Sequence, residues 1–124
     1  MTPAAVERLF IKLDQRFFAA RLSRDRWRVR LVPELQAHAF CYPLQKLILL
    51  NASMLEGARL SRALTHEMGH ASSGDITHGP QWQAEMQRVA AEGAPVDDRH
   101  VRTHAHFHGF AYVRRIGRPP HRLG

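Results

Sequence analysis

Residues 66 to 86 read HEMGHASSGDITHGPQWQAEM. His66 and His70 stand four apart, so on a helix their imidazoles share one face, one turn apart, close enough to bind one cation. Glu67, one residue on, can reach a water on that cation without being a ligand itself. Zinc lowers the pKa of such a water to about 7. The carboxylate then takes the proton as the hydroxide attacks a carbonyl, and can pass it to the leaving amine. Catalytic zinc sites use three protein ligands and leave the fourth position to water, so a third ligand is needed. The candidates are His78, Glu85 and Asp75. His78 is favoured because it sits just ahead of Pro80, at the entry of the next helix, where a short loop can turn it back. Glu85, on that second helix, would instead make a His-His-Glu set. The longer pattern HExxHxxGxxH fails, since Ser73 and Ile76 stand where its glycine and histidine belong.

A five-residue pattern is short, and nine histidines in 124 residues raise its chance frequency. The bland alternative is an exposed helix with two ordinary histidines. Against it, Ala63, Leu64, Met68 and Ala71 make the helix apolar around the motif, a strand-rich segment precedes it, and His78 follows it.

Upstream, Thr2-Pro3 reads as an N-cap with proline at the first helical position. Val6, Phe10, Leu13 and Phe17 then recur at helical spacing, predicting an amphipathic helix to about Leu22. From Arg24 the period changes to two: Arg24, Arg26, Arg28 and Arg30 alternate with Asp25, Trp27, Val29 and Leu31, predicting a strand with arginines toward solvent until Pro33. His38 to Tyr42 and Lys46 to Leu50 read as two more strands around a turn at Pro43, the second apolar enough to be internal. Asn51 and Ser53 suit a cap into a short helix, and Ser61 a cap for a helix over 62–72 that stops at Ser73-Gly74. Pro80 starts a helix with Trp82, Met86 and Val89 on one face, ending near Gly93-Ala94-Pro95. The expected fold is α+β: an N-terminal helix, a small three-stranded, mainly antiparallel sheet, the metal-bearing helix and a supporting helix.

The stretch from His66 to Met86 resembles the SprT-like (Spartan-related) metallopeptidase family, whose signature is HExxH followed by a histidine in an HGxxF or HGxxW context. His66, Glu67, His70 and His78 match the ligands and general base, and Gly79 and Trp82 the flanking positions. LFIKLDQRFFAARL and WRVRLVP are similar to the family's opening helix and first strand, and KLILLNASML to the strand and cap before the active helix. The resemblance covers roughly residues 5 to 92. It implies a minimal zincin-like domain that hydrolyses peptide bonds, in some relatives those of DNA-bound or crosslinked proteins. Residues 1–95 would be that core, and 96–124 a His- and Arg-rich extension packed on it with a flexible end.

The remaining residues set the boundaries. At 124 residues, 44% hydrophobic and 23% charged, the chain suits one globular domain. Its net charge of +7 points toward anionic partners such as DNA, although 16 of the 18 basic residues being arginine also fits a GC-rich coding bias. Arg24, Arg26, Arg28 and Arg30 are the candidate phosphate contacts, against the alternative of a solvated strand face. The single cysteine, Cys41, excludes an internal disulfide and a CxxC zinc ribbon, and reads as a buried strand residue, not a nucleophile. Neither a membrane span nor a signal peptide is expected, so a cytoplasmic location follows by default. His104, His106 and His108 would share a strand face, and Arg114 to Arg122 a basic tail. The expected partner is a protein or peptide substrate, and the expected cofactor zinc. The competing class is a nucleic-acid-binding module whose zinc is structural and closed by a fourth side chain.

Overall fold

In the computed structural model, residues 1–33, 35–53 and 55–97 are described; the extension from 98 onward, with His104, His106, His108 and the basic tail, lies outside them. The element order is α1 (Pro3–Phe17), α2 (Arg21–Arg24), β1 (Arg28–Val32), β2 (Ala39–Tyr42), β3 (Leu47–Asn51), α3 (Gly57–Ser73) and α4 (Pro80–Ala91). No helix among the described residues is long and apolar enough to cross a membrane.

Helix α1 starts as its first residues dictate, with the Thr2 hydroxyl accepting from the Ala5 amide at 3.1 Å and Pro3 at N1. Its stripe Val6, Phe10, Leu13 and Phe17 is buried. It ends before Leu22 because Ala19 and Ala20 take positive φ (55° and 59°), reversing the chain. Buried Asp14 secures that reversal, its carboxylate accepting from the amides of Leu22 (3.2 Å) and Ser23 (2.7 Å) and from the Ser23 hydroxyl (2.6 Å). A carboxylate taken out of water this way is stabilised only by such donors.

The sheet has the order β1-β3-β2. β1 runs parallel to β3 (Arg28 opposite Leu47, Val32 opposite Asn51) and β2 antiparallel to it (Ala39 opposite Leu50, Tyr42 opposite Leu47). The sheet is therefore mixed, one pairing of each kind, where mainly antiparallel pairing was expected. The apolar LILL of β3 is the reason: as the strand least suited to an edge it takes the centre, and the hairpin through Lys46 (φ 53°) leaves β2 outside. Asn51 closes its end, donating to the carbonyls of Leu35 (2.8 Å) and Ala37 (3.2 Å) while accepting from Ser53.

Helix α3 begins at Gly57, earlier than the expected cap at Ser61, because Leu60 extends the buried row Leu64 and Met68 by one turn. α3 lies against β2, β3 and α4, and the core runs between α1, the sheet and these two helices. The metal motif thus sits on the most enclosed helix of the domain.

Candidate metal centre

Every residue of α3 from Leu64 to His70 is buried, so the motif is not an exposed helix carrying ordinary histidines. After His70 the helix stops at Gly74, whose φ of 75° suits glycine and whose amide donates to the His70 carbonyl at 3.1 Å. That reversal lets the next few residues bring His78 back over the helix. His78 Nε2 lies 3.0 Å from His66 Nε2, and His70 Nε2 lies 3.3 Å from the same atom. A tetrahedral ion with nitrogens at about 2.0–2.1 Å holds them roughly 3.3 Å apart, so the spacing fits a single small cation. His66, His70 and His78 form a buried group able to hold a metal ion, and no fourth His, Cys, Asp or Glu joins it among the described residues.

The imidazoles are aimed by their surroundings. His70 Nδ1 faces the Asp75 carbonyl at 2.8 Å; a proton there donates to that oxygen and puts the ring's lone pair on Nε2. The Trp82 indole lies under all three rings, with centroids 4.7 Å from His66, 5.3 Å from His70 and 4.6 Å from His78. Its Nε1 donates to the His66 carbonyl at 3.2 Å, and Gln83 Nε2 donates to the His78 carbonyl at 2.6 Å. Helix α4 thus grips the backbone behind two of the imidazoles. Periodicity places Trp82 in the core, where it lies, but does not mark it as the floor of the site; Gln83 carries no sequence signal at all. Gly69 permits this approach: a Cβ there would lie 2.6 Å from Met86 Sδ and 3.1 Å from Trp82 Nε1.

Glu67 is 1% exposed, and its Oε2 has no hydrogen-bond partner among the described residues. Burial alone pushes its carboxyl well above the ordinary carboxylate range. A buried carboxylate oxygen without a partner, one residue after His66 and three before His70, is costly as structure, and such a group is a candidate for function. The three-histidine donor set therefore fits a metal ion. Cys41 lies on β2, half-buried where full burial was expected, and its thiol is pushed up to about 12 by burial first and then by the Glu67 charge.

The alternative ligands are engaged elsewhere. Glu85 accepts from the Ser72 hydroxyl and from Arg88 (Nε at 3.0 Å, Nη2 at 3.0 Å), with Arg21 at 3.5 Å. Burial acts to raise its pKa, but these donors and charges bring it below the usual carboxylate value. The Asp75 carboxylate accepts from Thr77 and from the Trp82 amide instead of facing the histidines.

The arginine stripe is only half realised. Arg28 and Arg30 stand exposed on β1, but Arg24 ends α2 and Arg26 occupies a left-handed turn (φ 69°), so the four do not share a strand face. The alternating pattern misleads because the amides of Arg26 and Trp27 close the end of α2 on the carbonyls of Ser23 (3.0 Å) and Leu22 (2.9 Å). Contact with the sheet begins only where the Arg28 amide meets the Lys46 carbonyl at 3.0 Å.

No curated protein and no solved structure gave a match. The model of the SprT-like family matches residues 6–100, a span that takes in α1 from Val6 onward, the sheet, the three histidines and α4. With most of the opening helix, the strands and the HExxH…HGxxW residues inside that match, the chain belongs to the SprT-like family.

Proposed function

We propose that this domain is a zinc-dependent endopeptidase in which His66, His70 and His78 hold the ion and Glu67 is the general base. The observation that carries this is the buried trio of imidazoles beside a buried carboxylate oxygen that has no partner of its own. Three nitrogen ligands in near-tetrahedral spacing, with no sulfur donor, suit zinc.

Zinc bound there would supply Lewis acidity to a water and to the scissile carbonyl. Glu67 takes the proton of the attacking water on its carboxylate and delivers it to the departing amide nitrogen, so the C–N bond breaks as an amine leaves. Its burial favours this, because a carboxylate without hydration is a stronger base. His70 keeps its lone pair on Nε2 by bonding the Asp75 carbonyl, and Trp82 excludes water from beneath the three rings. β2, one of the two edge strands of the described sheet and the one packed on α3, offers an edge on which an extended polypeptide could pair. The exposed Arg28 and Arg30 and the net charge of +7 support substrates associated with DNA.

The test is zinc content by elemental analysis together with casein cleavage, for the wild type and for Glu67→Gln. Glu67→Gln should keep one zinc and lower kcat/KM by about 10²- to 10⁴-fold, the usual weight of a general base. Undiminished turnover in that variant removes Glu67 from the mechanism. A wild type that binds zinc but cleaves nothing, with or without DNA, favours a structural zinc module instead.

A further inference from the structure

The loop that returns His78 to the helix is organised by one side chain. Asp75 Oδ1 accepts from the Thr77 amide at 2.9 Å and the Thr77 hydroxyl at 2.5 Å. Thr77 Oγ1 in turn accepts from the Gly79 amide at 3.1 Å, so the residues on both sides of His78 are tied to this carboxylate. Asp75 Oδ2 reaches further, accepting from the Trp82 amide at 3.3 Å. Its main-chain oxygen takes His70 Nδ1 at 2.8 Å.

Two of these contacts complete jobs that other residues leave undone. Gly79 is the N-cap of α4 and has no side chain to cap with. Asp75 caps in its place, bonding the amide at the third helical position and setting a negative charge at the positive end of the helix. Gly79 is itself a consequence: a Cβ there would stand 3.0 Å from Asp75 Oδ2 and 3.0 Å from Thr77 Oγ1. The carboxylate fills the space that any other residue after His78 would need.

We infer that Asp75 is a positioning residue for the metal, joining the His70 ring, the turn that carries His78 and the Trp82 floor into one rigid unit without being a ligand. This rests on the reading that the three histidines hold a metal. Partners of this kind fix ring orientation before the ion arrives, and their removal commonly weakens metal affinity about 10- to 100-fold.

The experiment measures zinc affinity by competition with a chromogenic chelator, and the visible spectrum of the cobalt-substituted protein, for wild type, Asp75→Ala, Thr77→Val and Thr77→Ser. Asp75→Ala should weaken zinc binding about 10- to 100-fold while still saturating at one ion with a three-histidine cobalt spectrum. Thr77→Val, which keeps the shape but cuts the tie between Asp75 and Gly79, should weaken it in the same direction. Thr77→Ser should restore wild-type affinity. Because Thr77→Val leaves Asp75 in place, it tests the inference even if Asp75→Ala fails to fold. Affinity within twofold of wild type in both Asp75→Ala and Thr77→Val overturns it. So does a cobalt spectrum in Asp75→Ala that reports one ligand fewer, which would make Asp75 part of the coordination sphere. A wild-type protein that takes up no zinc overturns the metal reading itself, and this inference with it.

Discussion

Replacing Gly69 by alanine sets two effects of known sign against each other. Alanine is favoured over glycine inside a helix by about 1 kcal/mol, so at an exposed site the change would stabilise. At Gly69 the new methyl would stand 2.6 Å from Met86 Sδ, 3.1 Å from Trp82 Nε1 and 3.4 Å from Trp82 Cδ1. Met86 is a flexible side chain but is 2% exposed and packed in the core, so it can yield only by displacing neighbours. Trp82 is less free still, held by its bond to the His66 carbonyl and by its stacking on His70. Overpacking of this kind costs about 1–3 kcal/mol, so the net change is a destabilisation of about 1 kcal/mol. For a chain of 124 residues that lowers Tm by about 4 °C. The strain falls on Trp82, so zinc affinity should drop as well. Urea denaturation of the metal-free protein and chelator competition measure the two effects separately. Adding Met86→Ala should remove the shortest of these contacts while leaving those to Trp82, so the double variant should be less destabilised than the sum of the two single variants. A Gly69→Ala protein that gains about 1 kcal/mol and binds zinc as the wild type does would refute the argument from close helix approach.

Glu85 offers a pH test away from the histidines. Its folded-state pKa lies below the ordinary value despite burial, so its stabilisation is present above the unfolded pKa and is lost as pH falls through the folded one. Wild-type stability should therefore decline as pH falls below the ordinary carboxylate range, and Glu85→Gln should be weaker by about 1 kcal/mol at pH 7 but converge with wild type once pH has fallen through the folded-state pKa. The modest size reflects Arg88, whose side chain is 40% exposed. Equal pH slopes for the two proteins would show that the Ser72–Glu85–Arg88 contacts contribute nothing. On the basic side, any DNA affinity should fall with salt, and the joint change of Arg28 and Arg30 to alanine should reduce the slope of log affinity against log salt by about 0.9 for each phosphate that is no longer neutralised. A salt-independent affinity, or an unchanged slope, would remove these arginines from the interface.

What is legible in the chain is carried by short-range pattern. Four-residue spacing puts His66 and His70 on one face of any helix, and the same rule makes Val6, Phe10, Leu13 and Phe17 a buried stripe. His78 was legible because proline two residues later marks a helix start, which limits how far the intervening loop can stray. Local pattern failed where a capture by a distant side chain intervened. Alternation from Arg24 to Leu31 looks like a strand, yet Asp14, on the preceding helix, binds Leu22 and Ser23 and keeps Arg24 and Arg26 out of it.

Other features depend on partners remote in the chain. The central place of β3, and with it the parallel pairing to β1, follows from which strand suffers most by standing at an edge, a comparison made across the whole sheet. Glu85 and His78 were rival ligands in the chain; Arg21, Ser72 and Arg88 engage the carboxylate, and the turn at Gly74 delivers the imidazole. That Glu67 Oε2 has no partner among the described residues and that Trp82 lies beneath three rings belong to the same class. Sequence spacing names the side chains that can converge, but a buried carboxylate's basicity and an imidazole's direction come from what is packed against them, and that packing exists only once the helices and sheet have closed on each other.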